Sequence, residues 1–185
     1  MKIANWKEKR RKVIEYFWMV VKYSFLAGSL ALIIRGFLLI PVPVEGNSME
    51  GTLEQGDMVL MEKISKIHRF DIVVFQLSDG TTYIKRVIGL PGDTIAYKDD
   101  NLYVNGEKIA EDFLKKDPQS NVPLTSDFTL KELMGVQKLG KDSYFVMGDN
   151  RRASKDSRSF GAISTADIVG KARFVYYPLT QIHLI

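Results

Sequence analysis

Apolar and polar positions follow two different rhythms along this chain. From Val13 to Val42 the sequence "VIEYFWMVVKYSFLAGSLALIIRGFLLIPV" is almost continuously apolar, broken only by Glu15, Lys22, Arg35 and a few small polar residues. A membrane span needs about 20 such residues, and Tyr16 to Ile34 comes close to that length, with Lys22 near enough to one end to snorkel. Past Pro43 the period shortens to that of strands. "DMVLMEKI" (57–64), "DIVVFQL" (71–77) and "TTYIKRVIGL" (81–90) are short, rich in β-branched and aromatic residues, and separated by turn formers such as "SDG" and "PGD". "LYVNGEKI" (102–109) predicts a hairpin, because Asn105 and Gly106 accept the positive φ of a type I′ turn. Residues 111–140 read as irregular, with a loop over 115–123 and one short helix in "DFTLKELMG" (127–135), for which Asp127 is the expected cap. "KDSYFVMGDN" (141–150) and "ADIVGKARFVYYP" (166–178) return to strands. The expected architecture is therefore a mostly β unit following one N-terminal helix.

Charge gives that helix a direction. The formal net charge is +4, and much of the excess lies in Lys2, Lys7, Lys9, Arg10, Arg11 and Lys12, opposed there only by Glu8. The remainder is close to neutral, which argues against nucleic acid as a partner. Basic residues before an apolar run and the aromatics Tyr16, Trp18 and Tyr23 suit a cytoplasmic N-terminus and an interfacial belt. A cleaved signal peptide has the same opening pattern, but no small-x-small site precedes the polar sequence here. A buried helix of a soluble protein is disfavoured, because nothing later looks large enough to cover it. The expectation is residues 1–15 in the cytoplasm, a transmembrane anchor over 16–40 and an extracytoplasmic β domain over 41–185, with a smaller inserted β and loop region at about 97–140.

The supply of catalytic groups is narrow. With no cysteine, thiolate nucleophiles, disulfides and thiolate metal sites are excluded. His68 and His183 are the two histidines, and neither sits in a motif of a Ser-His-Asp triad. The carboxylates are too scattered to suggest a metal site, and no cofactor is expected. Lysine remains as a base. On the strand 81–90, alternation puts Tyr83, Lys85 and Val87 on one face and Ile84, Arg86 and Ile88 on the other. A lysine between an aromatic and a valine is open to desolvation, which lowers its pKa and would let it take a serine proton. The plainer reading is an exposed lysine on a half-buried strand. "GDNRRASKDSRSFG" (148–161) is the densest polar run, with Asp149, Asn150, Arg151, Arg152, Ser154, Asp156, Ser157 and Arg158. It reads either as a solvated loop or as an ion-paired one from which Ser154 orients a lysine.

Three stretches in one order resemble the bacterial type I signal peptidases. "NSMEGTLEQGD" (47–57) is similar to that family's nucleophile box, "YIKRVIGLPGD" (83–93) to its lysine box and "GDNRRASKDSR" (148–158) to its box of paired charges. The resemblance covers about residues 13–178. It implies the mostly β fold shared with self-cleaving repressors, here on a single N-terminal transmembrane helix, and a membrane-bound serine endopeptidase that removes signal peptides from exported preproteins. Ser48 would be the nucleophile and its backbone N–H one oxyanion donor, with Lys85 the general base. Ser154 would hydrogen-bond and orient Lys85, and Tyr83 and Val146 would pack on the lysine stem. Arg86, Asp149, Asp156 and Arg158 would form structural ion pairs. The implied partners are signal peptides and membrane lipid, at the cytoplasmic membrane with the catalytic domain outside.

Two positions depart from the family pattern. Some members carry a serine two residues before the nucleophile as a second oxyanion donor, and Gly46 stands there. Proline usually lies three residues after it, where this chain has Gly51. If the local angles suit both residues, Gly51→Pro is expected to raise the thermal midpoint without loss of activity. A rival reading is a catalytically silent, membrane-tethered β domain that binds peptides or partner proteins. A self-cleaving regulator would need a DNA-binding domain where the anchor lies.

Overall fold

The computed structural model describes residues 2–33, 40–114 and 122–185. The chain divides into two compact units, Met1–Ile40 and Pro41–Ile185. The first is one helix, α1 (Lys2–Ile33). It forms over a proline-free run of good helix formers, with Arg11 and Glu15 paired at 3.2 Å one turn apart. Its large apolar side chains from Val13 to Leu32, including Phe17, Trp18 and Phe25, are exposed. Among the described residues no helix is long and apolar enough to cross a membrane. The expected span reaches beyond them, because residues 34–39, which extend the apolar run, lie outside the described residues.

The second unit is antiparallel β throughout its described pairings. Its larger sheet contains β1 (Ile40–Pro43), β2 (Met58–Glu62), β3 (Ile72–Gln76), β4 (Thr82–Gly89), β9 (Ser143–Met147), β10 (Ile163–Ser164), β11 (Ile168–Tyr177) and β12 (His183–Leu184). Its order is β1-β2-β11-β3-β4-β9-β10, with β12 also on β11. The smaller sheet holds β5 (Ile95–Lys98), β6 (Asn101–Val104), β7 (Glu107–Ile109) and β8 (Phe128–Thr129), ordered β7-β6-β5-β8. The smaller sheet falls within the region expected as an insertion, of which residues 115–121 lie outside the described residues.

Strand alternation distributes the core. Val87 of β4 and Val146 of β9 join Val73, Phe75 and Ile163 in one cluster, whereas Ile88, Phe145 and Met147 join Ile95, Tyr97, Leu102 and Phe128 in another. The larger sheet is thus covered on both faces, which is why β3 carries the unbroken run Ile-Val-Val-Phe and not an alternating one. The same covering buries Lys85 and Arg86 within β4.

The expected turn at Asn105 and Gly106 is present, with φ of 54° and 86°. The short helix is displaced from its expected start. α2 runs Leu130–Met134, capped by Thr129 in a reciprocal box with Glu132. Pairing of β8 with β5 holds Phe128 and Thr129 extended, and Asp127 instead accepts the Asp99 N–H at 2.9 Å.

Candidate active site

Ser48 lies on a turn between β1 and β2 that is closed at both ends and pinned from beneath. Val44 N–H donates to Asp57 O at 2.8 Å and Gly56 N–H to Val44 O at 3.0 Å. Met49 and Leu53 are fully buried below the turn, so the residue beside Met49 is held where the chain surfaces. The 148–158 loop closes over this turn. Asn150 N–H donates to Ser48 O at 3.1 Å, and the Asn150 side chain donates to Asn47 O at 3.1 Å and Glu50 Oε2 at 3.2 Å. Gly148 permits the approach, because a Cβ there would collide with the Ser154 side chain and the Ser48 carbonyl.

Lys85 reaches the turn from the centre of β4. Its Nζ lies 2.7 Å from Ser48 Oγ and 2.8 Å from Ile84 O, which it bonds. The side chain is only 3% exposed, and Nζ sits 5.5 Å from the centre of the Tyr83 ring. Burial lowers the Lys85 pKa to about 8, against the opposing pull of the Asp156 and Asp149 carboxylates. A neutral amine one hydrogen bond from a hydroxyl can accept its proton and leave an alkoxide.

Tyr83 stands beside the lysine, its ring stacked on that of Phe75 at 5.6 Å. Val146 is buried opposite Val87 on the neighbouring strand, within the cluster on that face. Ser154 behaves differently. Its hydroxyl is buried and makes no hydrogen bond among the described residues, so the expected bond to Lys85 is not formed. Ser48 N–H has no described acceptor, and Gly46, at φ 77°, contributes no side chain beside it. Gly51 has φ 103°, which proline cannot adopt. The expectation that Gly51→Pro stabilises is thereby overturned.

The charged loop residues resolve into pairs. Arg86 binds Asp149 in a bidentate fork and also donates to Phe70 O at 2.8 Å and Thr52 Oγ1 at 3.2 Å. Arg158 makes two bonds of 2.8 Å to Asp156, while Asp156 accepts the Gly148 N–H at 3.1 Å. A third pair escaped the sequence reading. Arg151 donates to Glu111 Oε1 at 2.5 Å and to the Tyr97 hydroxyl at 2.8 Å, linking the loop to the smaller sheet. Burial pushes the Tyr97 phenol well above its ordinary pKa. Glu111 lies in the stretch read as irregular, so only the buried face of "IAYK" hinted at this partner.

A cleft of about 810 Å³ has Ser48 and Lys85 in its lining. One wall is Pro41–Pro43 with Glu45–Asn47, the other Thr81–Ile84, with Val74, Ala153 and Lys155 also lining it. Neither histidine is there: exposed His68 is 3.6 Å from Asp71, and His183 lies on β12.

The fold is a β-rich unit that brings a serine hydroxyl to a buried lysine. The family model described as signal peptidase, peptidase S26, matches residues 17–177. Signal peptidase I V of Bacillus subtilis (strain 168) is 48% identical over 162 residues, covering 82% of this chain and 96% of that one. Signal peptidase I of Bacillus caldolyticus is 42% identical over 181 residues, covering 95% and 96%. The crystal structure of a signal peptidase I from Enterococcus faecalis V583 superposes with a TM-score of 0.55 at 43% identity, covering 59% of this chain and 98% of that one. The chain belongs to the signal peptidase family, peptidase S26.

Proposed function

We propose that this enzyme removes N-terminal signal peptides from exported preproteins through a Ser48–Lys85 dyad and an acyl-enzyme. The contact that carries the reading is the 2.7 Å separation of Lys85 Nζ and Ser48 Oγ, with the lysine buried. Neutral Lys85 takes the Ser48 proton as Oγ attacks the scissile carbonyl. The Ser48 N–H stabilises the resulting oxyanion. Lys85 passes the proton to the leaving nitrogen, then takes one from the water that attacks the ester and returns it to the departing Ser48 Oγ. Once Ser48 Oγ is committed to that ester, Lys85 keeps its bond to Ile84 O but loses its hydroxyl partner. The unpaired Ser154 hydroxyl, beside Gly148 like the Ser48 carbonyl, is the group we assign to hold the amine in place.

The substrate enters as an extended strand. β1 is an edge strand, and Pro41 and Pro43 suit an edge because they lack an N–H to pair. β1 and the start of β4 both run toward the dyad, so a peptide between them adds backbone bonds while its side chains meet Val42, Val74, Tyr83 and Ile84. The anchor follows from the exposed apolar side chains of α1 and from the apolar sequence that continues through residues 34–39. We assign residues 1–15 to the cytoplasm, 16–40 to the membrane and 41–185 to its outer side, which confines enzyme and tethered precursor near one plane.

The test is cleavage of a signal-peptide substrate by the full chain in detergent. Ser48→Ala and Lys85→Ala should each abolish turnover with the fold intact by circular dichroism. Undiminished cleavage by both variants would overturn the Ser48–Lys85 dyad.

A further inference from the structure

The cleft that holds the dyad accounts for one part of a protein substrate. The chain beyond the cut bond must also pass the nucleophile turn. Asn47 and Ser48 line the cleft, whereas Glu50 and Gly51 line a separate cavity of about 260 Å³ together with Asp149, Asn150, Arg151 and Arg152. Phe113, Leu114 and Leu124 give this cavity an apolar wall. Asn150 spans the partition, bound to Ser48 O, Asn47 O and Glu50 Oε2. The second Glu50 oxygen, Oε1, has no hydrogen bond among the described residues.

We propose that this cavity receives the first residues of the released mature chain, an apolar side chain resting on its wall and the new N-terminal ammonium pairing with Glu50. The proposal rests on the Ser48–Lys85 reading. As the ester C–O bond forms and the C–N bond breaks, the serine proton carried by Lys85 goes to the leaving nitrogen and gives a neutral amine. That amine then takes a proton from the medium, as free α-amines do below about pH 8. The ion pair with Glu50 therefore exists only after cleavage. An ammonium held there has no lone pair with which to attack the ester and restore the bond. Glu50 favours the cut state, and Asn150 keeps its carboxylate beside the turn where the nitrogen departs.

Two synthetic hexapeptides of one sequence, with leucine in the second position, test this as inhibitors of cleavage of a fixed signal-peptide substrate. One has a free amino group and the other is N-acetylated. The free-amine peptide should inhibit the full-length enzyme about fivefold more strongly, the value of a partly exposed ion pair of about 1 kcal/mol. The advantage should vanish in Glu50→Gln, and in the unaltered enzyme above about pH 9, where the amine is neutral. Equal inhibition by both peptides, or a ratio that Glu50→Gln or pH leaves unchanged, overturns the proposal. Turnover by the unaltered enzyme and its loss in Ser48→Ala report on the dyad separately in the same assay.

Discussion

Arg86 and Asp149 meet through two parallel hydrogen bonds, Nε to Oδ1 at 2.8 Å and Nη2 to Oδ2 at 2.5 Å, with both side chains nearly excluded from solvent. Asp149 immediately precedes Asn150, whose bonds hold the nucleophile turn. Removing one partner leaves a buried charge unpaired, so Arg86→Ala should cost about 3–5 kcal/mol in denaturant unfolding. Arg86→Met with Asp149→Leu should recover much of that loss, because neither charge then remains to be desolvated. A double variant as unstable as Arg86→Ala would show that the cost is packing.

As the proposed general base, Lys85 should set the pH dependence. Its pKa of about 8, lowered by burial, predicts that kcat/KM rises about tenfold per pH unit below 8 and levels above it. Asp156→Asn removes a carboxylate that opposes the shift, so the limb should move toward acid. The effect on stability has the opposite sense to catalysis. The folded-state value lies below that of the unfolded lysine, so burying the ammonium penalises folding fully below pH 8, and the penalty fades as pH rises toward 10.5. Lys85→Met should therefore stabilise the enzyme by about 1–3 kcal/mol at pH 7 and by less at pH 10. An equal gain at both pH values would separate the effect from titration.

Gly51→Pro should lower the thermal midpoint. At φ 103° the proline ring forces the turn to rearrange, at a cost above about 1 kcal/mol that outweighs any gain from a stiffer unfolded chain. Calorimetry of the full chain decides the sign, and a raised midpoint would mean that the turn has a second conformation of similar energy.

Ser154→Ala separates orientation from packing. The hydroxyl is buried without a partner among the described residues, so its removal should leave stability unchanged or raise it by up to about 1 kcal/mol. If Ser154 steadies Lys85 during deacylation, kcat should fall at least about tenfold while KM stays near its original value. Unchanged kcat would assign the residue to packing alone.

Much of the second unit could be read from the sequence, for identifiable reasons. Strands β2, β3 and β4 announced themselves by dense β-branched residues between turn formers, and Asn105-Gly106 fixed its hairpin by backbone preference alone. Lys85 was legible because alternation set its neighbours, and Ser48 because its short motif recurs in a known order with two others. What escaped depends on contacts distant in sequence. Asp127 was an adequate cap until β8 claimed the two residues after it. Arg151 was one polar residue among eight until Tyr97 and Glu111 met it from the smaller sheet. The φ of Gly51 is invisible in a sequence, where glycine and proline both read as turn formers.

The site is assembled from three remote pieces of chain: Ser48, Lys85 lying 37 residues further on, and Asn150, which bonds across 103 residues to Asn47. No two neighbouring segments can make it. A newly synthesised chain is therefore inert until β4 is seated between β3 and β9 and the late loop has come down on the early turn. Completion of folding is the step that would bring the proposed dyad together.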